Sequence, residues 1–453
     1  MDTAARKFRK SILFTAKFLL LAVLFGILMF FWWKGYPEAT YWRGGNYVVM
    51  VFYATLLVVF VSLYGGTRIG ILRLGEIIYS YLVALVLTNL LMYLQFCLSA
   101  RALLNPWPIL AATLIQLAAA AAGAKRINTL YFRLYPAREV VVIYSRRDHA
   151  IQIIKKMTRV KERYRVCIAL HEDEPFERIR AALDRYGSVL LCDVEPVLAN
   201  RLFSYCSLNS KRVYLVPDFQ DVLIRTSHST QLFDTPVFYC KNAEPSTEQL
   251  MMKRCMDVGI SAVALVVFSP IMLLIAAAIK LCDRGPVLYR QKRLTRGGKV
   301  FTLYKFRSMV CDAERGGARL SSKNDGRVTP VGRVIRGLRL DELPQLFNIL
   351  WGEMSVVGPR PERPEIAREY EEALPEFALR LRMKAGLTGY AQVYGRYNTT
   401  MRDKLLLDLL YIENYSILMD LRMLFMTVKI LFMPESTEGI EEGARLPEEP
   451  GES

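Results

Sequence analysis

Apolar residues fill four early blocks of the chain, Ser11–Trp33, Tyr47–Tyr64, Ile77–Leu98 and Pro108–Ala124. Three are long enough to cross a bilayer as helices, and the fourth, at roughly 17 residues, sits at the limit. The pattern predicts a membrane protein with four transmembrane helices over 11–124. From about Pro136 the pattern changes. Glu139–Tyr144 reads as a buried strand, His149–Met157 as a helix, Tyr164–Leu170 as a strand and Glu177–Tyr186 as a helix. Ser188–Cys192 and Arg212–Val216 are further strands. This alternation predicts a parallel, Rossmann-like α/β domain over 136–245. A fifth apolar block, Val258–Leu281, follows. Beyond it, Leu343, Leu346, Phe347 and Leu350 recur at helical spacing in Leu340-Asp341-Glu342-Leu343-Pro344-Gln345-Leu346-Phe347-Asn348-Ile349-Leu350.

Charge orients these blocks. Arg6, Lys7, Arg9 and Lys10 precede the first, which places residues 1–10 in the cytoplasm. That block is too long for a signal peptide and lacks its small-residue cleavage site. Four spans return the chain to the cytoplasm at Lys125-Arg126, and Arg68 and Arg73 suit an inside loop. The outside loops carry Lys34, Arg43 and Arg101, so the bias is modest. Glu76, at the start of the third span, reads as interfacial. The fifth block has Lys253 and Arg254 before it and Lys280, Arg284, Arg290, Lys292 and Arg293 after it, so both ends call for the cytoplasm. Ser269-Pro270 near its middle removes a backbone hydrogen bond. A re-entrant helix over 255–281, entering and leaving on one face, satisfies both features.

The net charge of +17, with 53% hydrophobic residues and a mean hydropathy of +0.20, fits a protein held against anionic lipid or binding anionic substrates. Apolar runs of this length fit lipid better than nucleic acid, so no nucleic-acid partner is expected. Eight scattered cysteines show no CxxC pair or zinc spacing, which suits reduced thiols. His149, His171 and His228 all lie far from the Asp-Glu pair, arguing against Ser-His or Cys-His chemistry there. After the first α/β strand stands Ser145-Arg146-Arg147-Asp148 rather than a glycine-rich turn. That domain is therefore expected not to bind a nucleotide.

The candidate chemistry lies at Asp341-Glu342. Pro344 is tolerated in a first helical turn, so the two acids should sit at a helix N-terminus, where phosphate is favoured. Arg327, Arg333, Arg336 and Arg339 crowd the approach, and Val357-Gly358-Pro359-Arg360-Pro361 follows. Acids that hold a metal or attack phosphorus, with arginines holding the rest of a phosphate, fit this pattern. Gly285–Gln291 and Lys299–Met309 read as strands or turns. Glu362–Met383 reads as a helix broken near Pro375, and Gly386–Tyr397 as a glycine-punctuated loop. Lys404–Pro434 has apolar faces suited to a membrane surface. Residues 435–453 form an acidic tail that reads as disordered.

Taken in order, Lys253-Arg254, Ser269-Pro270, Gly285-Pro286, Lys305-Phe306-Arg307-Ser308-Met309, the Asp341-Glu342 motif, Gly358-Pro359-Arg360-Pro361 and Gly386-Leu387-Thr388-Gly389-Tyr390-Ala391-Gln392 resemble the bacterial sugar transferases. These are monotopic polyprenyl-phosphate sugar-1-phosphate transferases. The resemblance covers about Met252–Phe432, within a catalytic domain over 250–434 that is mainly α. The preceding spans and α/β domain are similar to the long-form members that start exopolysaccharide or O-antigen repeats. The family implies that a UDP-sugar donates sugar-1-phosphate to undecaprenyl phosphate at the inner face of the bacterial cytoplasmic membrane. Mg²⁺ is required, and the reaction passes through a covalent phospho-sugar enzyme. By match to the motifs, Asp341 would be nucleophile and metal ligand. Glu342 would assist with metal or second transfer. Lys305, Arg336, Arg360 and Gln345 would contact substrate. Lys253, Arg254, Ser269 and Pro270 would meet membrane lipid. The long-form resemblance is compatible with a homodimer.

Three positions depart from the common pattern. Arg339 stands where a small hydroxyl residue is common, Thr295 where glycine is, and Ala385 where proline is. Two rival readings are a membrane glycosyltransferase that releases nucleoside diphosphate and a non-enzymatic scaffold for polysaccharide assembly.

Overall fold

The computed structural model describes residues 3–41, 44–240, 245–310, 326–395 and 400–431. Arg43, Cys311, Arg396, Tyr397 and the tail over 435–453 lie outside them. The chain divides into two compact units, one ending at Val216 and the other beginning at Pro217.

The first unit opens with four helices, α1 (Thr3–Gly35), α2 (Gly45–Leu63), α3 (Leu74–Ala100) and α4 (Trp107–Leu134). All are long and apolar enough to cross a membrane, and the fourth far exceeds the marginal length of its apolar block. They present many large apolar side chains outward, Phe14, Phe18, Val51 and Leu114 among them. Inside, Gln116 donates to the Leu24 carbonyl and to Tyr53 and accepts from Asn89, so buried polar groups satisfy one another across helices. Glu76 accepts from the Arg73 N–H, one half of a capping box at the start of α3.

Then follow β1 (Arg138–Tyr144), α5 (Arg147–Thr158), β2 (Tyr164–His171), α6 (Phe176–Arg185), β3 (Ser188–Cys192), α7 (Pro196–Leu208) and β4 (Arg212–Leu215). The strands form one parallel sheet in the order β2-β1-β3-β4. Val140–Ile143 and all of β3 are buried, because helices cover both faces of a parallel sheet. Helix α7 is an addition to the pattern expected from sequence. The sheet ends at Leu215, well before residue 245.

The second unit contains α8 (Phe219–Thr226), an antiparallel hairpin of β5 (His228–Leu232) and β6 (Thr235–Tyr239), and the long helix α9 (Thr247–Asp283). Strands β7 (Leu288–Leu294) and β8 (Val300–Phe306) form a second antiparallel hairpin. After these come α10 (Pro330–Gly337), α11 (Gln345–Trp351), β9 (Ser355–Val357), α12 (Pro364–Ala373) and a 3₁₀ stretch over Pro375–Arg382. The unit closes with β10 (Gly386–Thr388), α13 (Tyr390–Tyr394), α14 (Met401–Glu413) and α15 (Ile417–Leu431). The expected break at Pro375 is present. The expected glycine loop is partly ordered as β10 and α13.

The core of this unit joins Phe301, Leu303, Leu346, Ile349, Val357, Tyr411, Ile412 and Met423. Helices α14 and α15 contribute to it, and Asp408, Asp420 and Lys429 are buried. Lys429 is therefore turned into the unit rather than laid along a membrane surface.

Helix α9 runs unbroken through Pro270. Before the proline, Ile260, Ala264 and Leu265 pack on the main core. After it, Ile275 and Ile279 are buried with Phe306 and Ile335, and Met272 and Ala276 pack there too. Leu343 belongs to both clusters, so one body grips both halves of the helix. The intervening side chains, Val266 and Val267 among them, point outward.

Candidate active site

Three elements bring the acid pair to its neighbours. A 3₁₀ turn over Leu340–Glu342 carries Asp341 and Glu342, and Pro344 leads directly into α11. The acids thus lie one turn before a helix N-terminus, as the proline spacing implies. The buried face of α11 is not the one the apolar spacing suggests. Gln345, Leu346, Asn348 and Ile349 face inward, while Phe347 is exposed and packs on Trp351.

Asn348 explains the shift. Its amide donates to the Thr302 carbonyl (2.8 Å) and Glu353 (2.6 Å), and its oxygen accepts from the Tyr304 N–H (3.2 Å). This pins α11 against β8, the strand that ends beside Lys305. At the other end of α11, the Arg254 guanidinium donates to the carbonyls of Ile349 and Leu350, both at 2.6 Å. A cation there satisfies carbonyls that the helix itself leaves open.

The third element is a crossing of two chain segments. Gly358 donates to the Thr388 carbonyl (2.8 Å), and Gly386 donates to the Pro359 carbonyl (2.9 Å). A Cβ on Gly358, Gly386 or Gly389 would overlap the opposing backbone. The glycines of the Gly358-Pro359-Arg360-Pro361 and Gly386-Leu387-Thr388-Gly389 motifs therefore serve one contact. That contact fixes Arg360. Buried Arg380, paired with Asp408 (2.7 Å), also donates to the Arg360 carbonyl (3.0 Å).

The result is a small cleft of about 270 Å³ lined by Arg293, Leu303, Lys305, Glu342, Gln345, Arg360, Pro361, Gly386 and Leu387. Glu342 faces Lys305 at 3.6 Å and Arg360 at 3.8 Å. Burial alone would raise the Glu342 carboxyl, but Lys305, Arg360 and Arg339 outweigh it and hold it below its ordinary value. Burial lowers the Lys305 ammonium, with Glu342 opposing. Asp341 is left less compensated. Burial and the Glu342 charge push it up to about 6, against the pull of Lys305 and Arg336.

Arg293 was not singled out by the sequence. Burial brings its guanidinium down to about 10. It donates to the Pro361 carbonyl (2.9 Å) and forks onto Gln291 Oε1 at 2.6 and 3.0 Å. The sequence presented it only as one of the basic residues that follow the fifth apolar block.

Lys253 corrects an expectation. It does not reach lipid headgroups. It is buried, pairs with Asp420 at 2.6 Å and donates to the Val357 carbonyl (2.9 Å) and Tyr411 (3.2 Å). Arg254, likewise expected at lipid, spends its guanidinium on α11. Ser269 and Pro270 lie on the outward, exposed stretch of α9.

A family model for bacterial sugar transferases matches residues 248–434. A Caulobacter vibrioides UDP-glucose:undecaprenyl-phosphate glucose-1-phosphate transferase is 40% identical over 191 residues, covering 41% of this chain and 72% of that protein. The Rhizobium leguminosarum exopolysaccharide production protein PSS is 42% identical over 190 residues, 40% of this chain and 94% of that protein. The chain belongs to the bacterial sugar transferase family. An Aeromonas hydrophila UDP-N-acetylgalactosamine-undecaprenyl-phosphate N-acetylgalactosaminephosphotransferase is 36% identical over 234 residues, 51% of this chain and 55% of that protein. The chain spans about half the length of several of the curated relatives it matches.

Within this bacterial sugar transferase, two of the departures from the common pattern meet. The Ala385 N–H donates to Thr295 Oγ1 (3.2 Å), and that hydroxyl donates to the Glu353 carbonyl (2.8 Å). A proline at 385 would lack the donor and a glycine at 295 the acceptor, so the two substitutions are matched. The third departure, Arg339, adopts left-handed backbone (φ 54°) and adds positive charge beside Glu342.

Proposed function

We propose that the protein transfers sugar-1-phosphate from a UDP-sugar to undecaprenyl phosphate. The products are undecaprenyl-diphosphate-sugar and nucleoside monophosphate. The reaction occurs at the cytoplasmic face of the bacterial inner membrane, as the first membrane step of exopolysaccharide or O-antigen synthesis. The observation that carries this reading is Glu342 set between Lys305 and Arg360 at one cleft, with Asp341 next to it in the chain and under the charge of Lys305 and Arg336. The reactions for which the relatives are named support it, and they involve both glucose and N-acetylgalactosamine.

The Asp341 carboxylate attacks the sugar-bearing phosphorus of the donor. The bond from that phosphorus to the bridging oxygen breaks, and nucleoside monophosphate leaves with the electron pair. An oxygen of the lipid phosphate then attacks the same phosphorus and releases the Asp341 carboxylate. Splitting the transfer lets a soluble and a lipid substrate use one site in turn. Lys305 and Arg360 hold phosphate oxygens where charge spreads during transfer, and Arg293 braces the Arg360 loop at Pro361. Glu342, held ionised by its cations, keeps Lys305 and Arg360 aimed at the cleft.

The donor set suits Mg²⁺. Asp341 and Glu342 offer hard oxygen ligands, and Asp341 is under-neutralised without a cation. These two residues would hold the ion, which when bound offsets diphosphate charge.

The packing of α9 supports a helix that enters the bilayer without crossing it. Between Leu265 and Met272 only about 9 Å of helix rise lacks a partner, against a hydrocarbon core of about 30 Å. Cys255 and Cys282 are exposed at either end of the apolar stretch. With the other cysteines replaced by serine, an impermeant thiol reagent should reach both from the cytoplasmic face. Labelling from opposite faces would make α9 a spanning helix.

The chemical test uses donor carrying radiolabel in the sugar-linked phosphate, with no lipid acceptor. Labelled protein and one equivalent of nucleoside monophosphate are expected, and neither from Asp341→Asn. With lipid phosphate added, release of nucleoside diphosphate in place of monophosphate would show a glycosyltransferase. No product with donor, Mg²⁺ and lipid phosphate together would show a scaffold.

A further inference from the structure

The α/β sheet belongs to a different unit from Asp341 and Glu342, and its carboxyl edge carries a group of side chains with mixed donor chemistry. In the order β2-β1-β3-β4 the chain winds outward from β1 to β2 and then crosses back to β3. The loops leaving β1 and β3 therefore diverge, and parallel sheets bind ligands in the crevice so formed. No glycine-rich turn lies there to receive a dinucleotide. Instead, His149 stands in the first turns of α5, Cys192 ends β3, and Asp193 begins the next loop.

These three residues converge. A ring nitrogen of His149, Sγ of Cys192 and a carboxylate oxygen of Asp193 all lie within 4.8 Å of one another. His149 Nδ1 meets Asp193 Oδ2 at 2.6 Å. Cys192 is fully buried, while the His149 and Asp193 side chains keep 18% and 9% of their surface exposed. The group is thus enclosed on the thiol side and open toward solvent on the imidazole side. Arg146 closes the open side: its guanidinium sits 3.0 Å from Asp193 Oδ2 and is itself 65% exposed. Asp193 holds a left-handed backbone conformation (φ 55°).

We propose that His149, Cys192 and Asp193 bind one zinc ion at the β1/β3 crevice. One nitrogen, one sulfur and one oxygen donor make the mixed set that a borderline-soft, tetrahedral ion accepts, and a hard ion such as Mg²⁺ would not choose the sulfur. Three protein ligands with a solvent-facing side leave the fourth position to water. The Arg146 guanidinium is the resident cation of the metal-free state. It lies on an exposed side chain that can swing away when a divalent ion takes its place at Asp193. Binding releases the Cys192 proton to solvent as the thiol becomes thiolate, so affinity rises with pH.

The site ties the loop after β1 to the loop after β3, the two segments whose divergence opens the crevice. Its occupancy stiffens the α/β sheet rather than the transfer site, which lies in the other unit. The proposal is independent of the transferase reading.

The test uses the full chain purified in detergent and treated with chelator, then titrated with cobalt(II) as a visible stand-in for zinc and competed with zinc. A thiolate-to-cobalt absorption band at one ion per chain, lost on adding zinc, is expected. Cys192→Ser should abolish the band, and His149→Gln should weaken binding about tenfold or more. Arg146→Ala changes an exposed side chain and should fold normally, and it should tighten binding because the competing cation is gone. A wild-type chain that retains neither ion overturns the proposal. So does a band that persists in Cys192→Ser, or Arg146→Ala with affinity unchanged or weaker.

Discussion

Lys253 and Lys305 both lie within the second unit with a carboxylate for a neighbour, and their surroundings differ in every other respect. Lys253 is 2.6 Å from Asp420, and its remaining donors go to the Val357 carbonyl and Tyr411. Tyr411 in turn donates to Asp420 at 2.7 Å. Every partner is short, and the group is sealed from solvent. Lys305 is 3.6 Å from Glu342, too long for a firm hydrogen bond, and opens on a cleft with Arg360 and Asp341 nearby. The first centre is closed upon itself and can only hold the chain together. The second carries donors not yet committed to short contacts and one acid whose charge is poorly matched. A lysine next to an acid is thus read by what remains unspent.

Substitutions at Asp341, Lys253, Asp420 and Lys305 bear on this contrast. Asp341→Asn should cut transfer by about a thousandfold or more while the protein still folds and inserts, measured as nucleoside monophosphate release. Normal turnover would move the nucleophile elsewhere. Lys253→Met should leave Asp420 buried without its partner and cost about 3–5 kcal/mol of stability in denaturant melts. The double variant Lys253→Met with Asp420→Leu should recover much of that loss. If the double variant melts as low as the single one, the ion pair is not the reason.

Lys305→Met should show the opposite profile, with activity down about a hundredfold and little change in melting, because Arg360 still faces Glu342. An equal loss of stability would place Lys305 with Lys253. The smallest effect concerns the matched departures. Thr295→Val leaves the Ala385 N–H and Glu353 carbonyl unpaired and should cost about 1–2 kcal/mol with transfer near the wild-type rate. A loss below measurement would mean solvent replaces the hydroxyl.

Much of this was legible from spacing alone. The membrane helices follow from length and apolarity, and the buried strands β1 and β3 from short apolar runs. The acid pair's place before α11 follows from one proline. What was not legible depends on distant partners. Lys253 looks like a headgroup contact because it precedes an apolar helix, and its true partner lies 167 residues away. Asn348 and Arg380 look like ordinary polar positions until β8 and α14 are packed against them. Helix α7 escaped because only Leu202 and Cys206 on it are fully buried in the sheet's core, too few to set a helical apolar period. The glycines at 386 and 389 suggested a loop in close backbone contact with a ligand, but they pack on the backbone at Gly358.

The grip of one body on both halves of α9 has a consequence for how the partners meet. Under the proposed re-entrant placement, a domain fastened along such a helix would ride at a set height over the membrane, within reach of phosphates borne on lipid. An acceptor anchored by a long hydrocarbon tail then need not be lifted out of the leaflet to react. It arrives by sliding in the plane, so its search covers two dimensions while the water-borne donor searches three.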